Sequence, residues 1–185
     1  MTIAILAGGK SRRFGQDKAA LFLPQILDAC RPTGLPILVI GRLAHPGIGE
    51  EITFLPDDFP DQGPLGGIIT ALKRTSGPVL VLACDLAFLK TEAIAWLLRS
   101  WEQTPDTDIL VATQPRENDS PQREPLFAIY SPACLSRAEQ LLQEGRRALH
   151  QLLQSCQTNA KALPEPLIPQ LRNINSPDDY MLPRS

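Results

Sequence analysis

Short apolar runs rich in β-branched residues recur along this chain, each bounded by turn formers: Thr2 to Ala7, Pro36 to Ile40, Ile52 to Leu55, Val79 to Cys84 and Asp108 to Ala112. A run that is apolar at successive positions, rather than at alternate ones, belongs to a strand covered on both faces. Between the runs lie segments with helical spacing. Leu65, Ile68, Ile69 and Leu72 share one face of a helix over Leu65 to Arg74, and Ile94, Leu97, Leu98 and Trp101 share one over Thr91 to Gln103. This alternation predicts a doubly wound, mostly parallel α/β sheet of the Rossmann-like kind with helices on both faces.

The length, 185 residues, fits a single domain over 1–185. Hydrophobic residues form 43% and charged residues 21%, which supports a packed core rather than disorder. The 20 acidic and 18 basic residues nearly cancel, so no global field is available to hold nucleic acid or an anionic membrane. No apolar run approaches the roughly 20 residues that cross a bilayer, and Met1 to Ala7 lacks the basic region and cleavage site of a signal peptide. A cytoplasmic protein is expected. The four cysteines are widely spaced without C-x-x-C and read as buried free thiols. With only His45 and His150 present, a histidine metal centre or a Ser-His-Asp triad has little to draw on, so chemistry falls to carboxylates, lysines, arginines and backbone amides.

The 18 prolines imply short elements with abrupt ends. In the second half, Pro125 to Ser131 reads as a strand. Ser131-Pro132 then opens a helix to about Glu144, Gly145 ends it, and another helix runs from about Arg146 to Ser155. Ser176-Pro177-Asp178-Asp179 carries a further helix start, and the polar stretch Gln114 to Arg123 reads as a mobile loop.

The densest chemistry follows the first strand: Leu6-Ala7-Gly8-Gly9-Lys10-Ser11-Arg12-Arg13-Phe14-Gly15-Gln16-Asp17-Lys18. Its place at the carboxyl edge of the sheet is where open α/β folds bind ligands. Glycines there let the backbone approach a ligand and leave amides to face phosphate oxygens. Arg12, Arg13 and Lys18 add charge suited to a nucleoside triphosphate. Gly9-Lys10-Ser11 imitates the end of a Walker A loop, but the first glycine of that motif would fall on Ala4, inside the strand. Farther along, the buried run Val79 to Ala83 ends at Cys84-Asp85. A carboxylate at that edge is costly unless paired or bound to a cation, for which Mg²⁺ is the economical choice.

Leu6 to Lys18 matches every fixed position of L-A-G-G-x-S-x-R-x-G-x-D-K, and so resembles the signature of the molybdenum cofactor guanylyltransferases. That resemblance implies transfer of GMP from GTP onto the phosphate of molybdopterin, with release of pyrophosphate. Related cytidylyltransferases carry L-A-A-G, so Gly8-Gly9 favours guanine. Gly63-Pro64-Leu65-Gly66-Gly67 is similar to the family's G-P-L-x-G block, and the aspartate upstream that contacts nucleotide aligns with Asp57, with Asp58 as the alternative. Cys84-Asp85-Leu86-Ala87 is similar to C-D-x-P, which makes Asp85 the implied magnesium ligand, with alanine in place of the proline.

Arg123 to Tyr130 resembles R-x-P-L-x-A-x-Y, Gly145 to Leu149 resembles G-x-R-x-L, and Asn173 to Asp179 resembles N-x-N-T-P-E-[ED]. The amides of Asn173 and Asn175 suit a heteroatom-rich pterin. The implied site is therefore Arg12, Lys18 and Asp85 for catalysis, with Leu6, Ala7, Gly8, Gly9, Lys18, Asp57, Gly66 and Asp85 around the nucleotide. Molybdoenzyme maturation proteins are implied as recipients of the product.

Ala19 to Leu35 departs from the family pattern, being several residues too short for the usual G-K-P-[LM] turn and full helix, and Gly41-Arg42 replaces an asparagine after the second strand. Three rivals follow: a cytidylyltransferase of the same fold, a P-loop GTPase, and a catalytically weakened GTP-binding or adaptor protein.

Overall fold

The computed structural model describes residues 1–8, 18–42, 48–49, 51–116 and 120–172, with side chains from residue 21 onward within helix Lys18–Cys30. One seven-stranded sheet organises them. Its strands are β1 (Thr2–Leu6), β2 (Ile37–Ile40), β3 (Ile52–Leu55), β4 (Val79–Ala83), β5 (Ile109–Gln114), β6 (Gln122–Tyr130) and β7 (Thr158–Ala162). Their order is β3-β2-β1-β4-β6-β5-β7. β1 pairs in parallel with β2 and β4, β2 with β3, and β5 with β7; β6 runs antiparallel to both β4 and β5.

Helices cover both faces, as the continuous apolar strands predict. On one face, α1 (Lys18–Cys30) and α3 (Thr91–Glu102) pack Phe22, Leu23, Ile26, Leu27, Ile94 and Leu97 against Ile3, Ile5, Val39, Leu80 and Leu82. On the other, α2 (Pro64–Lys73), α4 (Cys134–Gln143) and α5 (Leu149–Ser155) cover Ala4, Leu6, Leu38, Ile40, Val79 and Val81. Odd and even residues of β1 thus feed two separate cores, which is what period-2 side-chain alternation requires.

Several expectations are corrected. The segment after Lys18 forms a 13-residue helix. Phe22, Leu23, Ile26, Leu27 and Cys30 make a buried stripe at helical spacing, and Pro24 falls on the exposed side. An internal proline costs about 3 kcal/mol, and burial of four large side chains at about 1.5–3 kcal/mol each exceeds it. The polar stretch Gln114 to Arg123 is not one loop: Gln114 pairs with Gln122 and Thr113 with Arg123, extending the β5–β6 ladder beyond a bulge at Val111/Ala112. Ser131 does not cap α4, which begins at Cys134 after turns closed by Cys134 N–H to Ser131 O and Leu135 N–H to Pro132 O. α5 begins at Leu149 rather than Arg146, because Ala148 is extended. The helix start at Ser176 lies outside the described residues.

None of the four cysteines forms a disulfide, but only Cys30 and Cys134 are buried; Cys84 and Cys156 are half-buried. Burial pushes the Cys30 thiol up to about 12, so it stays protonated at neutral pH. Cys134 is also raised, by its hydrogen bond with Cys156 and by burial. No helix among the described residues is long and apolar enough to cross a membrane.

Candidate active site

β1 lies between β2 and β4, and the chain leaves its end at the point where strand order turns in opposite directions. Such a switch point opens a crevice beyond the carboxyl ends of the strands. Here it holds a cavity of about 810 Å³, within the range of small-molecule sites. Leu6 and Gly8 come from the end of β1, Gly41 and Arg42 from that of β2, and Ala83, Cys84 and Asp85 from that of β4. Pro56, Asp57, Asp61, Gly63, Pro64 and Gly67 come from the β3–α2 connection and the start of α2, and Leu126 from β6.

The strand ends are tied together by the backbone. Ala7 N–H donates to Ile40 O at 2.8 Å, Cys84 N–H to Leu6 O at 3.3 Å, and Gly41 N–H to Leu55 O at 2.8 Å. Gly41 has φ +93°, and a Cβ there would stand 2.6 Å from Gly8 Cα and 2.7 Å from Gly8 N. Gly8, at the stem of the glycine loop, therefore rests directly on the backbone just after β2. Only glycine fits at position 41, for both the contact and the dihedral.

α2 presents its N-terminus to the cavity. Gly63, at φ +70°, precedes it and Pro64 opens it, and no side chain caps it. The uncapped end carries backbone donors and the positive end of the helix dipole, both suited to an anion.

The structure separates the two aspartates that the sequence left open. Asp57 lines the cavity, and its Oδ1 accepts from Phe59 N–H at 2.9 Å and from the Thr70 hydroxyl at 3.0 Å. Asp58 instead pairs with Arg74 at 2.8 Å. Gly66 is buried away from the cavity lining. A Cβ on it would lie 2.7 Å from Phe59 O and 2.9 Å from Phe59 Cβ, so its role is to let α2 approach the β3–α2 connection. Gly66→Ala is expected to cost about 1–3 kcal/mol of stability by overpacking. Urea unfolding would measure it, and an unchanged midpoint would mean that the connection yields freely.

Of the remaining expected residues, Leu6, Gly8 and Asp85 line the cavity, and Ala7 is buried beside it. Lys18 begins α1, and its side chain lies outside the described residues, as do Gly9, Arg12, Asn173 and Asn175. Sequence reasoning missed Arg42, Asp61, Gly67 and Leu126 as lining residues. Gly67 stood in the glycine block already singled out, and that block was its signal.

Among the described residues, no three His, Cys, Asp or Glu side chains gather as a metal cluster. A cation at Asp85 would have to complete its shell with phosphate oxygens and water. Mg²⁺ is commonly held in that way, by one or two carboxylates plus substrate phosphates, so the donor set fits it.

Comparison with known proteins agrees with this geometry. Residues 3–160 match the model of the MobA-like NTP transferase domain. The chain is similar to the "Probable molybdenum cofactor guanylyltransferase" of Methanothermobacter thermautotrophicus, at 31% identity over 98% of both chains. It is 34% identical to the protein of the same name from Halalkalibacterium halodurans, over 95% of this chain and 93% of that one. The crystal structure of molybdopterin-guanine dinucleotide biosynthesis protein A from Archaeoglobus fulgidus superposes with a TM-score of 0.77 at 25% identity, covering 98% and 95% of the two chains. The 2-C-methyl-D-erythritol 4-phosphate cytidylyltransferase of Thermus thermophilus shares the fold at TM-score 0.73 and 18% identity, over 97% and 95%. A switch-point cavity walled by the glycine-loop stem, the G-P-L-G-G helix start and Asp85, in a chain matched almost end to end, makes this protein a nucleotidyltransferase of the MobA-like NTP transferase family.

Proposed function

We propose that this chain, acting as one domain, transfers GMP from GTP to the terminal phosphate of molybdopterin, forming the guanine dinucleotide cofactor and releasing pyrophosphate. One observation carries the reading: the stem of the L-A-G-G loop and Asp85 meet in a cavity of nucleotide size at the sheet's switch point. The names of the relatives, which align along nearly the whole chain, support guanylyl transfer as the reaction.

In this reaction a phosphate oxygen of the acceptor attacks the α-phosphorus of GTP. The new P–O bond forms as the bond to the β-phosphate oxygen breaks, and the electron pair leaves with pyrophosphate. The attacking oxygen is already ionised at neutral pH, so no general base is needed, in keeping with a chain that has only two histidines. The protein's part is alignment and charge neutralisation. By this reading the backbone of Leu6, Ala7, Gly8 and Gly9 binds the nucleotide, Lys18 and Arg12 neutralise the triphosphate, and Asp57 and the start of α2 at Gly63, Pro64 and Gly67 serve the base and ribose. Asn173 and Asn175 serve the pterin. Asp85 would hold Mg²⁺, which when bound neutralises charge on the phosphates.

The reaction belongs in the cytoplasm, where molybdoenzyme maturation proteins would take up the product. Pyrophosphate release that requires both GTP and molybdopterin is the expected result. Faster release from CTP would select cytidylyl transfer, the reading favoured by the shared fold of the cytidylyltransferase. Orthophosphate release would indicate a GTPase, and GTP binding without turnover a weakened binding protein.

A further inference from the structure

Thr70 is the one hydroxyl buried within α2, completely enclosed in the seventh position of that helix, and it makes no contact with the cavity. Its Oγ1 nevertheless lies 3.0 Å from Asp57 Oδ1, 3.1 Å from the Asp58 nitrogen and 3.0 Å from Gly66 O. The Asp58 N–H can only donate, so it takes a lone pair of Oγ1. The single hydroxyl proton is then left to Asp57 Oδ1 or to the helix carbonyl of Gly66. A carboxylate oxygen is the stronger acceptor, and such charge-assisted bonds are roughly twice as strong as neutral ones.

Phe59 N–H donates to the same Oδ1 at 2.9 Å. Both donors to Asp57 among the described residues therefore fall on one oxygen, Oδ1, of this cavity-lining carboxylate. Asp58, one residue on, is drawn away by Arg74 at 2.8 Å, so the backbone bond from Asp58 to Thr70 also fixes where the chain divides between a cavity-lining and an ion-paired aspartate.

We propose that Thr70 is a positioning residue for nucleotide binding: from inside α2 its hydroxyl locks the rotamer of Asp57 and presents the carboxylate to the N–H or O–H donors of the nucleotide. The proposal rests on the reading of the cavity as a nucleotide site. It assigns to a residue with no substrate contact a share of the affinity for GTP.

The test compares Thr70→Val, which keeps shape and removes the hydroxyl, with Thr70→Ser, which keeps the hydroxyl. KM for GTP and kcat are measured by pyrophosphate release, and Kd for GTP by calorimetry. Thr70→Val should raise Kd and KM about tenfold, the loss of one charge-assisted bond, with kcat changed less than about threefold, the signature of a ground-state contact. Thr70→Ser should restore both constants to near the wild-type values, and Thr70→Val should add less than about twofold on an Asp57→Ala background, as residues sharing one network do.

An unchanged KM in Thr70→Val, an equal defect in Thr70→Ser, or a full tenfold effect without Asp57 would overturn the proposal. GTP binding to the unmutated protein separates the two claims. No binding there overturns the nucleotide reading and this proposal with it, whereas binding that Thr70→Val leaves intact overturns the proposal alone.

Discussion

Asp85→Asn is expected to lower kcat by about 10²–10³-fold, a magnitude typical of losing one electrostatic contribution to the transition state, and to leave the fold unchanged. The substitution keeps the side chain's volume and half-buried position at the end of β4, so packing gives no reason for a loss of stability. What it removes is the formal charge on a cavity wall where the described residues supply no metal cluster to substitute for it. The dependence of turnover on Mg²⁺ concentration should move to higher concentration, since a neutral amide is a poorer ligand for a hard cation. Wild-type turnover with an unshifted Mg²⁺ dependence would remove Asp85 from the chemistry and leave it a residue of the β4 turn.

The second large effect is expected at Gly41. A methyl group there would press on the Cα and N of Gly8 at 2.6 and 2.7 Å, and backbone atoms cannot rotate aside as a flexible side chain can. Overpacking costs about 1–3 kcal/mol, and a positive φ adds about 1–2 kcal/mol for a residue with a Cβ. Because the displaced atoms are the stem of the glycine loop, kcat/KM for GTP should fall by at least about tenfold, as small misplacements at reacting centres do. Gly34→Ala is the matched control: Gly34 has φ +68° with nothing within 4 Å of its Cβ position, so it reports the dihedral cost alone. Thermal melting and kcat/KM on both variants separate strain from contact. If Gly41→Ala melts no lower than Gly34→Ala and turns over GTP normally, the close approach of Gly41 to the loop stem has no functional weight.

How far the molecule could be read from its sequence depended on burial. β1, β2, β4 and β5 were legible because strands covered on both faces must be apolar at nearly every position, and β3, an edge strand with only Ile52 buried, because three of its four residues are apolar; the ends of all five agree with the structure within two residues. β7, with the sequence Thr-Asn-Ala-Lys-Ala, was not, because it is an edge strand that is largely exposed and needs no apolar pattern. The antiparallel sense of β6 was also hidden, since period and burial do not encode direction. The helix after Lys18 was undervalued because Pro24 masks a buried stripe that tertiary packing rewards.

In the site, Asp85 and Gly8 were legible from their place after buried strands. The different surroundings of Asp57 and its alternative Asp58 were not, because they depend on a hydroxyl thirteen residues after Asp57 in α2 and on the ion pair of Asp58 with Arg74. Gly66 shows the opposite case. Its block was recognised, but only the distance to Phe59 assigns it to packing while Gly67 reaches the cavity.

The central claim is guanylyl transfer, and following the α-phosphorus tests it most directly. GTP labelled at that atom, incubated with the protein, Mg²⁺ and molybdopterin, should pass its label into a pterin–guanine dinucleotide, with unlabelled pyrophosphate appearing in equal amount and CTP labelled in the same place transferring more slowly. Label retained in GDP with release of orthophosphate, label left in GTP, or faster transfer from CTP would contradict it.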